Sequence, residues 1–400
     1  MGVLVVSFDS VGDKVFETMA DDSKNYPNVA KFKRQAYYRG GVKTVFVTNT
    51  YPVHATISTG KLPKDHGVAS NLLRPKKSGE RPWAQMASCI KAKTIWDAAR
   101  EKKLTTAAML WPATCGAKID WHMPEVHAEK GQNLLLRSLR YGSALFQLSA
   151  LLRHGGKLAK ALADHAQKGA GQPALDDFTA AAACDMLKAK KPDLALVHLI
   201  AYDTLFHFAG SKGKEIEAAK KAMDANLGRL LESWGEGGTA IVFSDHSQLD
   251  VSESVNLHGL YGSAVFDQAG GSAFVEKAAV GAEAGGGAEA QPWFGRYLTD
   301  GEMEESGHAG KGLVGMAAKP GYIFSEESKY KGAHGYPADY EDYSVFYGIR
   351  GENYAPGLEQ SWLRNRVTDI TAVIARELGL DMDILDEYGA REPLNSSAAP

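Results

Sequence analysis

Val3-Leu-Val-Val-Ser-Phe-Asp9 is an apolar run that ends on a carboxylate, and the chain repeats that arrangement twice more. Leu194–Ile200 comes just before Asp203, and Thr239–Phe243 just before Asp245. Short β-branched runs without polar alternation read as strands covered on both faces. Further strands read at Val42–Val47, Thr105–Leu110 and Ser344–Ile349. Helical patterns lie between and beyond them at Asn28–Gln35, Pro52–Thr59, Thr94–Lys102, Asp176–Lys190, Lys214–Trp234 and Val367–Leu378. This alternation predicts an α/β fold with a mostly parallel central sheet flanked by helices. In such sheets ligands bind outside the carboxyl ends of the strands, where Asp9, Asp203 and Asp245 all fall.

Two stretches break the alternation. About 120–170 holds Leu134–Leu152 and Lys157–Gln167, a helical pair with no strand between, which reads as a cap. About 252–330 is Gly-rich and reads as loops with short strands such as Ser272–Val275 and Gly321–Phe324. Neither reads as an independent unit, so residues 1–392 form one catalytic domain with cap insertions. The small, polar residues 393–400 read as a disordered tail.

Bulk properties narrow the function. The 400 residues are 44% hydrophobic and 23% charged, with a net charge of −3, which suits a globular chain with a sizeable core. There is no basic stripe of the kind a nucleic-acid scaffold shows. Cys89, Cys115 and Cys184 are three and unpatterned, which argues against a disulfide framework or a thiolate zinc site. No signal peptide is read before Val3 and no apolar run approaches the ~20 residues of a membrane span. The expectation is a cytoplasmic protein with no membrane partner.

The residues that carry chemistry are Asp9, Thr50, Asp203-Thr-Leu-Phe-His207, Asp245-His246 and His334 in Gly332-Ala-His-Gly335. Taken singly, each has a plain structural reading. Asp9 and Thr50 can cap helices, Asp203 and His207 can form an i,i+4 pair, and His334 can be a packed histidine. Taken together they are three carboxylates, three imidazoles and a hydroxyl, a donor set that suits zinc or a similar borderline ion. Pro52 suits the first turn of a helix, so Thr50 sits at a helix N-terminus, where anions bind. Two ions roughly 4 Å apart can clamp both oxygens of an in-line phosphoryl displacement.

These residues resemble the alkaline phosphatase superfamily and, within it, the type I phosphodiesterase/nucleotide pyrophosphatase family. The resemblance runs from Val3–Asp9 to Val367–Ala375. It is most specific in Thr50-Tyr-Pro-Val-His-Ala-Thr-Ile-Ser-Thr-Gly60 and Leu62-Pro-Lys-Asp-His-Gly-Val-Ala-Ser-Asn71. Thr94-Ile-Trp-Asp-Ala98 and Trp111-Pro112 add to it, whereas Val53 stands where the family usually has Asn. The resemblance implies an alkaline-phosphatase-like fold and two Zn2+ ions, with Mn2+ or Fe as alternatives. It implies Asp203, His207 and His334 on one ion and Asp9, Asp245 and His246 on the other. Thr50 would be the nucleophile, touching the second ion. Asn71 would donate to a non-bridging phosphate oxygen, helped by the Tyr51 N–H, and the Tyr51 ring would line the leaving-group pocket. Sulfatases use a C/S-x-P-x-R motif, and Thr50-Tyr-Pro-Val-His54 lacks both its Cys/Ser and its Arg.

The implied activity is hydrolysis of phosphodiester or pyrophosphate bonds in a small-molecule, nucleotide-type substrate through a phosphothreonine intermediate. A phosphonate or phosphomonoester hydrolase on the same site remains open, with Lys43, Arg74, Lys76 and Lys77 as cations for a dianion. A non-catalytic protein that holds a phosphorylated ligand is the third reading. Oligomeric state and the natural leaving group are left open.

Overall fold

The computed structural model describes residues 2–74, 81–129, 131–168, 172–280, 287–326, 329–385 and 391–393. The central sheet contains β1 (Val3–Phe8), β2 (Tyr37–Val42), β3 (Thr106–Met109), β4 (Trp121–Met123), β5 (Leu194–Leu199), β6 (Thr239–Ser244) and the strand Val345–Arg350. Their order is β2, Val345–Arg350, β6, β1, β5, β3, β4. From β6 to β4 every pairing is parallel, and Val345–Arg350 runs antiparallel to both β6 and β2. The fold is α/β and alkaline-phosphatase-like, as the sequence predicted.

All six residues of β1 are buried, and they alternate between two cores. Leu4, Val6 and Phe8 pack with Phe16, Phe178 and Leu227. Val3 and Val5 face the other way, toward Val53, Ile57, Trp111 and Ile374. This is the period of two expected of a strand, hidden in the sequence because both faces are apolar. Each such side chain contributes roughly 1.5–3 kcal/mol by its burial, so the strand ends are firmly anchored.

Register then does the positioning. Phe8 pairs with Ser244 across the β1–β6 ladder and with Leu199 across β1–β5. The next residues, Asp9 and Asp245, therefore leave adjacent strands at the same height.

Two boundaries differ from the sequence reading. The strand expected at Val42–Val47 is Tyr37–Val42. Gly40-Gly41 disguises that edge strand, and the apolar Val45-Phe46-Val47 is buried as the approach to Asn49 instead. The cap helices are Leu134–Tyr141 and Ala144–Lys168, so the break falls at Gly142-Ser143 and not at Gly155-Gly156. A Cβ on Gly142 would meet Pro124 at 2.5 Å and the His122 carbonyl at 2.6 Å, while nothing lies within 4 Å of a Cβ on Gly155 or Gly156. Close packing breaks the helix at Gly142, and solvent lets it continue through the glycine pair.

Residues 249–333 add a four-stranded antiparallel sheet and a three-stranded one. They include Ser272–Glu276 and Gly321–Phe324, close to the expected short strands. Of the expected tail, only Pro393 lies within the described residues. Among the described residues no helix is long and apolar enough to cross a membrane, and the three cysteines are unpaired.

Candidate metal centre and active site

Asp9 is fixed by its backbone, which donates to the Leu199 carbonyl at 3.0 Å. The next residue, Ser10, donates its N–H to Asp245 Oδ1 at 3.0 Å, which ties the two strand ends together. Asp9 and Asp245 are both buried. His246 follows Asp245, and its Nε2 lies 3.5 Å from Asp9 Oδ1 and 3.3 Å from Asp245 Oδ2. Thr50 opens the wholly buried helix Thr50–Thr59. Its Oγ1 is 3.1 Å from His246 Nε2. The nucleophile candidate therefore stands beside the carboxylate pair.

The second half of the site comes from other segments. Asp203 and His207 sit one turn apart on the helix Ala201–Ala209, with His207 Nε2 3.5 Å from Asp203 Oδ1. His207 Nδ1 donates to the Gly332 carbonyl at 2.8 Å, so its Nε2 is the nitrogen left to bind. His334 Nδ1 lies 2.8 Å from the side-chain oxygen of Asn49. That contact occupies Asn49, which precedes the helix but makes no side-chain cap bond to it. His334 Nε2 is left 4.0 Å from Asp203 Oδ1. The turn that presents His334 depends on Gly335, at φ +87°, where a Cβ would lie 1.5 Å from the Ala269 carbonyl oxygen. Gln248 donates to the Asp203 carboxylate and, at 3.2 Å, to its carbonyl.

All seven expected metal-site residues are thus brought together. Potential ligand atoms of Asp9, Asp245 and His246 lie within 4.8 Å of one another, as do those of Asp203, His246 and His334. His246 lies between the two groups, its ring centroid 4.2 Å from that of His334, and His207 flanks the second at 5.0 Å from His334.

The donor set fits a cation on physical grounds. Asp9 Oδ1 and Asp245 Oδ2 are buried without a hydrogen-bond partner. Burial, together with the nearby Asp203 and Asp245 carboxylates, pushes the Asp9 carboxyl well above its usual range. Burial beside His246 and His207 pushes His334 well below the usual imidazole value. Crowded, buried carboxylate oxygens without hydrogen-bond partners are an unbalanced arrangement in a low-dielectric interior, and a divalent ion balances it.

Two further histidines support this set. His198 Nε2 lies 3.2 Å from Asp9 Oδ2, and its Nδ1 is 3.1 Å from the Leu110 carbonyl. His54 Nδ1 donates to the Thr50 carbonyl at 2.8 Å and lies 3.5 Å from Asp245 Oδ2. Neither was among the candidate site residues of the sequence reading, and nothing in their spacing linked them to the carboxylates.

One expectation for the phosphate cradle needs correction. The Tyr51 N–H donates to Asn71 Oδ1 at 2.9 Å, so it is not free for a phosphate oxygen. A backbone N–H can only donate, which fixes Asn71 with its oxygen toward Tyr51 and its amide nitrogen free to donate elsewhere. The Ala84 N–H holds the Asn71 carbonyl at 2.9 Å.

These residues open into a cavity of about 520 Å³ lined by Asp9, Thr50, Tyr51, Asn71, Asp203, His207 and His334. Its other walls include Trp83, Glu125, His127, Phe208, Phe324 and Tyr330, none of which the sequence reading picked out. Trp83 and His127 stack with centroids 3.9 Å apart and planes 9° from parallel. Burial alone would raise the Glu125 carboxyl, but His127, His198 and the Tyr51 hydroxyl outweigh it and hold it below its usual range. The only hint in the sequence was a Glu two residues from a His at the root of the cap. Among the described residues no Lys or Arg lines the cavity. Lys43 and Arg74 are exposed elsewhere, Arg74 over the Phe266 ring, and Lys76 and Lys77 lie outside the described residues.

A parallel sheet whose strand ends gather three carboxylates, three imidazoles and a threonine at a helix N-terminus defines an alkaline-phosphatase-like scaffold. The profile of the Type I phosphodiesterase / nucleotide pyrophosphatase family matches residues 3–305, and the chain belongs to that family. Venom phosphodiesterase 2 of Crotalus adamanteus is 23% identical over 236 residues, which cover 56% of this chain and 24% of the venom protein. Ectonucleotide pyrophosphatase/phosphodiesterase family member 1 of Rattus norvegicus is 25% identical over 112 residues, covering 25% of this chain and 12% of the rat protein. The match thus spans about a quarter or less of these curated relatives' length. Murine ectonucleotide pyrophosphatase / phosphodiesterase 5, in an inactive Thr-to-Ala form in complex with AMP, superposes with a TM-score of 0.66. It is 18% identical, and the overlap covers 98% of this chain and 97% of that one. The human counterpart gives 0.65 at 16% identity, covering 96% of each chain.

Proposed function

We propose that this protein is a two-zinc hydrolase of phosphodiester or pyrophosphate bonds that acts on nucleotide-type substrates through a phosphothreonine intermediate. The observation that carries the reading is the cavity wall: aromatic rings and a carboxylate surround the candidate centre, and among the described residues no Lys or Arg lines it. A phosphodiester presents one negative charge to the site and a phosphomonoester presents up to two. A wall whose described residues include a carboxylate, Glu125, and no side-chain cation suits the monoanion better than the dianion. Trp83, stacked on His127, offers a flat face for a base. The relatives' names and the AMP bound to the murine enzyme support the same substrate class.

When bound, the zinc ions supply Lewis acidity, lowering the pKa of the Thr50 hydroxyl and offsetting charge on the phosphoryl oxygens. The chain does the rest. Thr50 Oγ1 attacks phosphorus in line, and the bond to the leaving oxygen breaks as the Thr50–phosphate bond forms. The start of the helix Thr50–Thr59 favours the negative charge there. The Asn71 amide nitrogen donates to a non-bridging oxygen, while its own oxygen, bound to the Tyr51 N–H, keeps the amide oriented. Water then attacks the phosphorus of the Thr50 ester from the opposite side; the Thr50–phosphorus bond breaks, the phosphomonoester product is released, and a proton from the water restores the Thr50 hydroxyl.

The test is hydrolysis of bis-p-nitrophenyl phosphate against p-nitrophenyl phosphate by zinc-loaded protein, with Thr50→Ala as blank. A strong diester preference is expected. A monoester preference transfers the assignment to the phosphomonoester or phosphonate reading. Turnover of neither substrate with two ions bound favours a protein that only holds a phosphorylated ligand.

A further inference from the structure

The cap helix Ala144–Lys168 is apolar on two opposite sides. On one side Ala150 and Ala161 are buried, and Phe146, Leu151 and Leu158 pack against the main core. On the other, Leu145 and Leu152 are 85% and 89% exposed, with Leu148 and Leu162 at 44% and 59%. Leu145, Leu148 and Leu152 fall at i, i+3 and i+7, a single stripe pointing away from the body. The neighbouring helix Leu134–Tyr141 adds Leu134 and Leu135, each about half exposed, and Leu136, which is more so. Of the eleven exposed large apolar side chains among the described residues, seven lie in these two helices. A lone exposed leucine needs no explanation, but this concentration does.

The charges around the stripe indicate what covers it. The two cap helices, Leu134–Tyr141 and Ala144–Lys168, contain Arg137, Arg140, Arg153, Lys157, Lys160 and Lys168 against a single carboxylate, Asp164, in a chain whose net charge is −3. Arg153 and His154 contact Asp185 on the neighbouring helix at 3.2 and 3.0 Å, and the segment remains net positive. A second copy of the chain fits this face poorly. A twofold interface would set the same strongly basic surface against itself, with one carboxylate per copy against six Lys and Arg. A surface that is apolar beneath and anionic above fits both features.

We infer that the cap helices form a docking surface for anionic lipid membranes. The leucine stripe enters the boundary between acyl chains and headgroups, and basic side chains such as Arg140 and Lys157 reach the lipid phosphates. The sequence reading allowed no membrane partner because no segment can span one. A helix that lies in the interface needs no spanning run. The cap leaves the sheet beside Glu125 and His127, which line the cavity, so docking would hold the catalytic cavity close to the membrane.

The experiment is co-sedimentation of the full chain with vesicles of phosphatidylcholine alone and of equal parts phosphatidylcholine and phosphatidylglycerol. Binding is expected only to the mixed vesicles and should weaken as salt rises. Leu145→Ser with Leu152→Ser should lower partitioning about tenfold or more. Lys157→Glu should lower it at least about fivefold. The leucine pair is exposed and remote from Thr50, so melting temperature and diester turnover should be unchanged and serve as fold controls. Failure to bind the mixed vesicles, or binding that survives the double leucine substitution, overturns the proposal. A dimer that the same substitution dissociates assigns the face to a second copy and also overturns it.

Discussion

Replacing Asn71 by Ala or by Asp should separate its two tasks, because one end of its amide holds Tyr51 and the other is free to face the substrate. Asn71→Ala removes the acceptor 2.9 Å from the Tyr51 N–H, leaving a partly buried donor unpaired at a cost of about 1–3 kcal/mol. It also removes the donor to the phosphoryl oxygen, which should lower kcat/KM by about 10²–10³. Asn71→Asp keeps an acceptor for Tyr51, so stability should stay near that of the parent. It loses the donor and places a negative charge facing the phosphate, worth up to about 4 kcal/mol at 4 Å and an effective dielectric of 20. Partial exposure of the site reduces that figure, but the sign holds. The expected order is therefore parent, Ala, Asp for turnover, and parent with Asp above Ala for melting temperature. The assay is steady-state hydrolysis of bis-p-nitrophenyl phosphate alongside thermal denaturation, both with zinc in excess. An Asp variant as active as the Ala variant, or an Ala variant with parental kcat/KM, would refute the assignment.

Other consequences follow from the same geometry. His198→Ala removes the imidazole 3.2 Å from Asp9 Oδ2 and should weaken metal binding by about 10–100-fold in a chelator competition, with affinity unchanged if His198 only fills space. Stripping the metal should lower the melting temperature, since each ion held at a hundredfold excess over its Kd contributes about 2.7 kcal/mol; a melt insensitive to chelator counts against the bimetal reading. Trp83→Ala removes one face of the aromatic wall and should raise KM for a nucleoside diester by roughly 5- to 100-fold while sparing small aryl diesters. Equal losses on both substrates would show that Trp83 does not contact a base.

The legible part of this protein was what local pattern fixes. Asp9 and Asp245 could be read because each ends a strand, and strand ends in a parallel sheet are where ligands bind. Asp203 and His207 could be read because a helical turn brings i and i+4 together. What was not legible depends on contacts between distant segments. Asn49 at His334, His198 at Asp9 and Gln248 at Asp203 are each set by tertiary packing, and no spacing announces them. The Tyr51 N–H was expected at the phosphate but is taken by Asn71, twenty residues away, a competition decided only by the loop's path. Strand and helix breaks failed for a related reason. Glycine marks where a break is possible, and packing decides whether it occurs, as Gly142 and the Gly155-Gly156 pair show from opposite sides.

The central claim is that Thr50 becomes covalently phosphorylated. Acid-quenched mass spectrometry of zinc-loaded protein during turnover of a diester addresses it directly, with metal content measured on the same samples. The account predicts a Thr50 peptide carrying the phosphoryl group with the substrate's remaining ester in the parent, and neither adduct nor turnover in Thr50→Ala while both ions remain bound. Near-parental turnover by Thr50→Ala, or rapid hydrolysis by the parent with phosphate on another residue, would contradict it.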